Sequence, residues 1–167
     1  MYRFKAGLII AVIMAIVHLF SGAPAEAPDS APVLVPAHVV RVVDGDTIVA
    51  EIDGLETRVR LIGVDTPETV KPSTDVEPYG PEASAYTTEM LDGQDIYLEY
   101  DVETVDRYGR DLAYVWLEDG TLFNDLLLSE GYALVSTFPP NVKYVDRFTE
   151  SAHLARVRGV GLYALTP

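Results

Sequence analysis

The sequence predicts an α+β fold, a small, partly open barrel of five short strands with three helices packed at its ends. Three observations predict it. The strand-like runs are short and rich in β-branched residues. Asp-Gly pairs join the first three of them at hairpin spacing. Three further stretches carry helix start and stop signals. A chain of 167 residues has room for one sizeable core but not for two full catalytic domains.

In chain order, Arg3 and Lys5 precede an apolar run from Ala6 to Phe20, followed by the small residues Ser21-Gly22-Ala23-Pro24-Ala25. This succession predicts a secretory signal over residues 1–25 with Ala23-x-Ala25 as the cleavage site. The alternative is an uncleaved N-terminal anchor, for which the run falls short of the roughly 20 residues a spanning helix needs. Without a cysteine, lipid attachment at the terminus is excluded. Residues 26–37 hold Pro28, Pro32 and Pro36 and predict an extended Pro/Ala-rich linker, because proline withholds backbone donors. The folded domain is then expected over 38–167.

His38–Val43, Thr47–Ile52 and Arg58–Ile62 are the first three strands, separated by Asp44-Gly45 and Asp53-Gly54, and an antiparallel meander follows. Gly80–Leu91 reads as a helix with Pro81 early, Glu82 in the first turn and Asp92-Gly93 at its end. Asp95–Tyr100 and Leu112–Leu117 complete the five strands. Leu122–Glu130 is a short helix closed by Gly131, and Lys143–Arg158 a longer one closed by Gly159.

Composition excludes several chemistries. The missing cysteines remove disulfide frameworks, zinc-thiolate sites, iron–sulfur clusters and thiol nucleophiles. A hydrophobic content of 49% is too high for a disordered acidic tail. Twelve Lys+Arg against 26 Asp+Glu give a net charge of −14. Cleavage of residues 1–25 would remove Arg3 and Lys5 and no acid, taking it to −16. Taken alone, that balance argues against handling nucleic acid, whose phosphates attract Lys and Arg.

The residues that could carry chemistry fall in short segments. Asp44 and Asp46 lie at the first turn, and Asp65 and Glu68 just after the third strand. A meander brings these four carboxylates together. Two of them 4 Å apart repel by about 4 kcal/mol at an effective dielectric of 20, so the cluster calls for a cation or a proton. Oxygen donors without nearby Cys or His point to a hard ion such as Ca²⁺ or Mg²⁺. An Asp-Gly pair by itself is usually only a turn. Arg60 on the third strand and Arg110 at the end of Asp106-Arg107-Tyr108-Gly109-Arg110 supply forked donors suited to phosphate oxygens. Carboxylates for a metal together with two arginines are what phosphoryl chemistry needs.

Four segments in order, Asp44-Gly45-Asp46-Thr47, Arg60-Leu61-Ile62-Gly63-Val64-Asp65-Thr66-Pro67-Glu68, Tyr79-Gly80-Pro81-Glu82-Ala83-Ser84-Ala85 and Asp106-Arg107-Tyr108-Gly109-Arg110-Asp111-Leu112-Ala113-Tyr114, resemble the staphylococcal nuclease family. The likeness runs from about His38 to Tyr163. It implies a five-stranded OB-fold barrel with three helices. The implied activity is a Ca²⁺-dependent endonuclease that cuts DNA and RNA to 3′-phosphates. With the signal segment the protein is expected to be secreted, and a monomer acting on single-stranded or frayed substrate is expected. Carried over residue by residue, Asp46, Asp65 and the Thr66 carbonyl would hold Ca²⁺. Glu68 would activate water, Arg60 and Arg110 would clamp the scissile phosphate, and Arg107 and Tyr108 would contact substrate. Asp44 would stand behind the metal ligands.

The departures concern substrate binding. The loop after Glu68 keeps a single lysine, Lys71, and Arg107 stands where a lysine is common. A base-packing Tyr is replaced by Thr137 followed by Phe138, which stacks on a base or belongs to the core. The lone Trp116 is expected to be buried. Two other readings stay open: a non-catalytic OB-fold module that binds nucleic acid or protein, and an extracellular Ca²⁺-stabilised interaction domain. A full set of Arg60, Asp65, Glu68 and Arg110 argues against the first of these, and only the acidic surface favours the second.

Overall fold

The two Asp-Gly pairs turn the chain where the sequence places them. In the computed structural model, which describes residues 32–69 and 77–165, β1 (Leu34–Asp44) pairs antiparallel with β2 (Thr47–Ile52), and β2 with β3 (Leu55–Leu61). Asp53 and Gly54 both take positive φ, 51° and 82°, the backbone a two-residue hairpin of matching twist requires. A short β4 (Gly63–Asp65) follows, then α1 (Gly80–Leu91), β5 (Asp95–Val105), β6 (Asp111–Leu117), α2 (Phe123–Ser129), β7 (Leu134–Ser136), α3 (Val145–Arg158) and a 3₁₀ turn over Gly161–Leu165.

The barrel is closed rather than partly open, with strand order β1-β2-β3-β6-β5. Closure is made by a short parallel seam in which Val59, Arg60 and Leu61 of β3 face Asp111, Leu112 and Ala113 of β6. A parallel contact between strands so far apart in sequence leaves no hairpin signal, so the local pattern does not reveal it. A second, two-stranded sheet of β4 and β7 also went unforeseen, each strand having only three residues.

The expected linker over 26–37 is corrected at its end. Its first part, like the expected signal over 1–25, lies outside the described residues, but Leu34–Ala37 belong to β1. They pair with Leu98, Tyr97 and neighbours on β5, while pairing with β2 starts only at His38. One edge of this stretch is therefore unpaired, and there a proline such as Pro36 is tolerated. His38 Nδ1 lies 2.7 Å from Asp95 Oδ1 across the same pairing.

The barrel interior is filled by Val39, Ile48, Ala50, Val59, Leu61, Ile96, Leu98, Ala113 and Val115, and Phe123, Leu127 and Leu128 of α2 and Phe148 of α3 extend the same core. Glu99 is the most deeply buried charged residue among those described. Glu99 accepts hydrogen bonds from Trp116 Nε1 at 2.7 Å and Tyr144 Oη at 2.9 Å and pairs with the Lys143 ammonium. Buried charges persist when paired in this way. Trp116 is accordingly only partly buried. Among the described residues no helix is long and apolar enough to cross a membrane.

Candidate active site

Along β2, Ile48 and Ala50 point into the core, so Thr47 and Val49 face outward. On β3 the same alternation sends Val59 and Leu61 inward and Arg58 and Arg60 outward. The outer face of the meander therefore forms the floor of a cleft of about 440 Å³, whose lining includes Asp46, Arg60, Asp65, Thr66, Glu68, Tyr108 and Arg110. Seven of the eight predicted site residues thus share one cleft. The eighth, Arg107, lines an adjoining cavity together with Arg60, Asp65, Tyr108 and Arg110.

Arg60 organises the centre. Its guanidinium lies 2.8 Å from Asp46 Oδ2 and 2.8 Å from Asp65 Oδ1, and donates to the Val64 carbonyl at 2.9 Å. Asp46 is further held by the Thr66 amide at 3.1 Å and the Thr47 hydroxyl at 2.9 Å. Burial pushes the Asp46 carboxyl above the usual carboxylate range, with the Asp65 charge adding to the rise, and the Arg60 charge and the two hydrogen bonds offset only part of it.

The four carboxylates the sequence brings together, Asp44, Asp46, Asp65 and Glu68, all line this cleft. Asp44 accepts the Thr69 hydroxyl at 2.7 Å and the Gly45 amide at 2.9 Å. Among the described residues no three acidic, His or Cys side chains form a cluster that could hold a metal ion. The remaining donors nonetheless fit a hard cation. Asp46 and Asp65 offer only oxygen, burial disfavours an ionised Asp46 carboxylate that lacks a further cation, and the buried Thr66 hydroxyl has no hydrogen-bond partner among the described residues.

Gly45 explains why the turn is Asp-Gly-Asp. A Cβ there would lie 2.7 Å from Thr66 Oγ1 and 2.8 Å from its Cγ2, so the close approach of the two segments requires glycine. On the other side the Gly45 carbonyl accepts the buried Thr87 hydroxyl of α1 at 2.7 Å.

Arg110 is set by a residue to which sequence reasoning assigned no role. Asp106 takes its Nε at 2.7 Å and its Nη2 at 2.7 Å, and also accepts the Tyr108 and Arg110 amides at 2.8 Å and 3.0 Å. Burial alone would raise the Asp106 carboxyl, but these donors outweigh it and hold it below the usual range. The signal was present in Asp-x-x-Gly, the pattern of an Asx turn. Tyr108 is largely exposed and lies between two cations, with the Arg107 and Arg110 guanidinium carbons 4.7 Å and 5.5 Å from its ring centre. Phe138 is 75% exposed and lines the same cavity as Arg107 and Tyr108, so it is not a core residue.

Glu68 borders the cleft, and its backbone is fixed on both sides by Glu77. The Glu77 amide donates to the Glu68 carbonyl at 3.0 Å, and the Glu68 amide donates to Glu77 Oε2 at 3.1 Å. Glu77 and Thr87 are positioning groups that no local pattern announces.

A closed five-stranded barrel with an arginine–carboxylate cleft on its outer face defines an α+β protein of the OB-fold type. Residues 58–164 match the staphylococcal nuclease homologue family. The chain is 48% identical over 148 residues to the thermonuclease of Staphylococcus intermedius, covering 86% of this chain and 88% of that protein. With the thermonuclease of Staphylococcus hyicus it shares 51% identity over 118 residues, 71% of this chain and 69% of the other. Endonuclease YncB of Bacillus subtilis is 44% identical over 117 residues, 69% of this chain and 55% of its own. The chain belongs to the staphylococcal nuclease family.

Proposed function

We propose that this protein is a secreted Ca²⁺-dependent endonuclease that hydrolyses phosphodiester bonds of DNA and RNA to 3′-phosphate products. The observation that carries the reading is the single cleft in which Asp46, Arg60, Asp65, Glu68 and Arg110 meet. Relatives named thermonuclease at 48% and 51% identity support it.

Asp46, Asp65 and the Thr66 carbonyl would hold the Ca²⁺. When bound, the ion supplies positive charge against the phosphate oxygens and an ordered water shell. The protein's own groups account for the remaining chemistry. Arg60 and Arg110 each present a planar fork to the non-bridging oxygens, and their charge opposes the negative charge that grows there in the transition state. Glu68 accepts a proton from the water that attacks phosphorus. The bond from phosphorus to the 5′-oxygen breaks, the 5′-oxygen takes a proton from solvent, and the phosphate stays on the 3′-oxygen. Arg107 and Tyr108 hold the neighbouring part of the substrate, and exposed Phe138 offers a face on which a base can stack.

Export rests on the signal-like segment 1–25, and N-terminal sequencing of protein from the medium tests it. An intact Met1 on membrane-bound protein would replace cleavage with anchoring. The activity is tested by incubating the purified protein with single-stranded DNA and Ca²⁺, with and without chelator. Cleavage that stops with chelator is expected. Removal of one transition-state donor should cost about 10²–10³ in kcat, so Arg110→Ala and Glu68→Ser should be nearly inactive. Undiminished cleavage by those variants would refute the assignment. A single species at monomer mass by light scattering is also expected.

A further inference from the structure

Nine Lys and Arg residues fall within the described part of the chain. Seven have side-chain partners there. Arg60, Arg110, Lys143 and Arg147 are ion-paired. Arg107 bonds to Tyr108, Arg156 lies over the Tyr163 ring, and Arg158 donates to the Ser129 carbonyl. Arg41 and Arg58 alone make no side-chain hydrogen bond, ion pair or ring contact among the described residues. In a chain of net charge −14, two guanidinium groups without a partner among the described residues are unexpected, since acids to pair them with are abundant.

Their placement is not scattered. Arg41 pairs with Val49 and Val49 with Arg58, so the three form one row across β1, β2 and β3, and directly opposed residues point to the same face. That face is the outer one: Val49 is buried yet lies outside the core cluster, and both arginines are exposed. Arg58 itself lines the cleft that holds Arg60. It stands two residues from Arg60 along β3, about 7 Å at the rise of a strand. Arg41 and Arg58 are separated by two strand spacings, about 9.5 Å between backbones, close enough for an anion to be shared between their long side chains. Beyond the row the face turns acidic, where Glu51 pairs with Glu56. The positive strip therefore runs from the catalytic cleft for one row and stops.

We propose that Arg58 and Arg41 form a second phosphate subsite on the outer face of β1–β3, which holds the backbone phosphate adjacent to the scissile one on a single-stranded nucleic acid. The proposal rests on the nuclease reading and extends it to this chain's own cations. The occupant is a phosphodiester backbone because the row offers charge and forked donors beside a phosphate-cleaving cleft.

The test compares KM and kcat of wild type, Arg58→Ala, Arg41→Ala and Arg58→Lys on a long single-stranded oligonucleotide and on a dinucleotide, which has no second phosphodiester. Arg156→Ala on α3 serves as a control for the loss of one positive charge elsewhere. The KM for the long substrate should rise roughly three- to tenfold in each alanine variant, and the salt slope of log affinity should shift by about 0.7 for each phosphate no longer neutralised. The dinucleotide should show less than a third of that rise, and Arg58→Lys should recover part of the loss. Equal losses on both substrates, no loss on the long one, or an equal effect of Arg156→Ala would each overturn the subsite. If wild type cleaves neither substrate, the nuclease reading falls and the subsite with it. If wild type cleaves both and Arg58→Ala matches it, the subsite alone falls.

Discussion

Asp106 shows how much of the candidate site depends on a group that need not touch substrate. Its carboxylate fixes the Arg110 side chain and two amides of the same turn. Because its folded pKa lies below the unfolded value of about 3.9, its contribution is fully present above that value and is lost as pH falls through the lowered one. The Asp106 carboxyl should therefore titrate by NMR with a midpoint below about 3.9, the ordinary aspartate value. Asp106→Asn should lower kcat by roughly tenfold, equivalent to about 1.4 kcal/mol of barrier. A midpoint at or above the ordinary value would contradict the hydrogen-bonding account. The same residue marks a limit of sequence reading. Asp46, Arg60, Asp65 and Arg110 could be picked out as residue types at suggestive spacing. The ion pairs that join them could not, because Arg60 meets two carboxylates and Arg110 turns onto Asp106 only after the chain has folded.

Among the elements, α1 shows the tightest link between packing and the cleft. The sequence gives its bounds as Gly80–Leu91, the same as those observed, because proline, glutamate and the terminal Asp-Gly all agree. Its tertiary role is not written in that pattern. Thr87 is fully buried, and its hydroxyl reaches the carbonyl of Gly45 between Asp44 and Asp46. Replacing Thr87 with Val keeps the shape and leaves that carbonyl unpaired, which should cost about 1–3 kcal/mol and lower Tm by several degrees in a thermal melt. Thr87→Ser keeps the donor and should lose less. A Val variant as stable as the Ser variant would show that the hydrogen bond is immaterial. Strand ends were less legible than helix ends. β5 runs on to Val105, beyond the Tyr100 expected, because Asp101–Val105 is largely exposed and lacks the alternation of a core strand. Its extension comes from pairing Val105 with Asp111 after a bulge.

At the level of the whole molecule, charge and cleft pull in opposite directions. The net charge of −14 repels a polyanion at long range, while Arg58, Arg60, Arg107 and Arg110 attract it locally. Salt with a Debye length of about 10 Å at 0.1 M weakens the long-range repulsion more than short, partly buried contacts. The KM for single-stranded DNA should consequently stay level or fall as salt rises toward physiological strength. A steep rise with salt, the behaviour of a basic nuclease, would show that repulsion is not limiting. Export into a saline medium would suit such a surface.

Trp116, the only tryptophan of the chain, donates to buried Glu99 and stands edge-on to Tyr144, ring centres 6.0 Å apart, at the entry to α3. It lines neither the candidate cleft nor the adjoining cavity. Emission excited selectively from the tryptophan should thus gauge whether the C-terminal helix is docked while standing apart from what happens beside Glu68. Substitutions in the cleft can be screened for intact folding by emission alone, with loss of turnover and loss of structure read in separate channels from one sample.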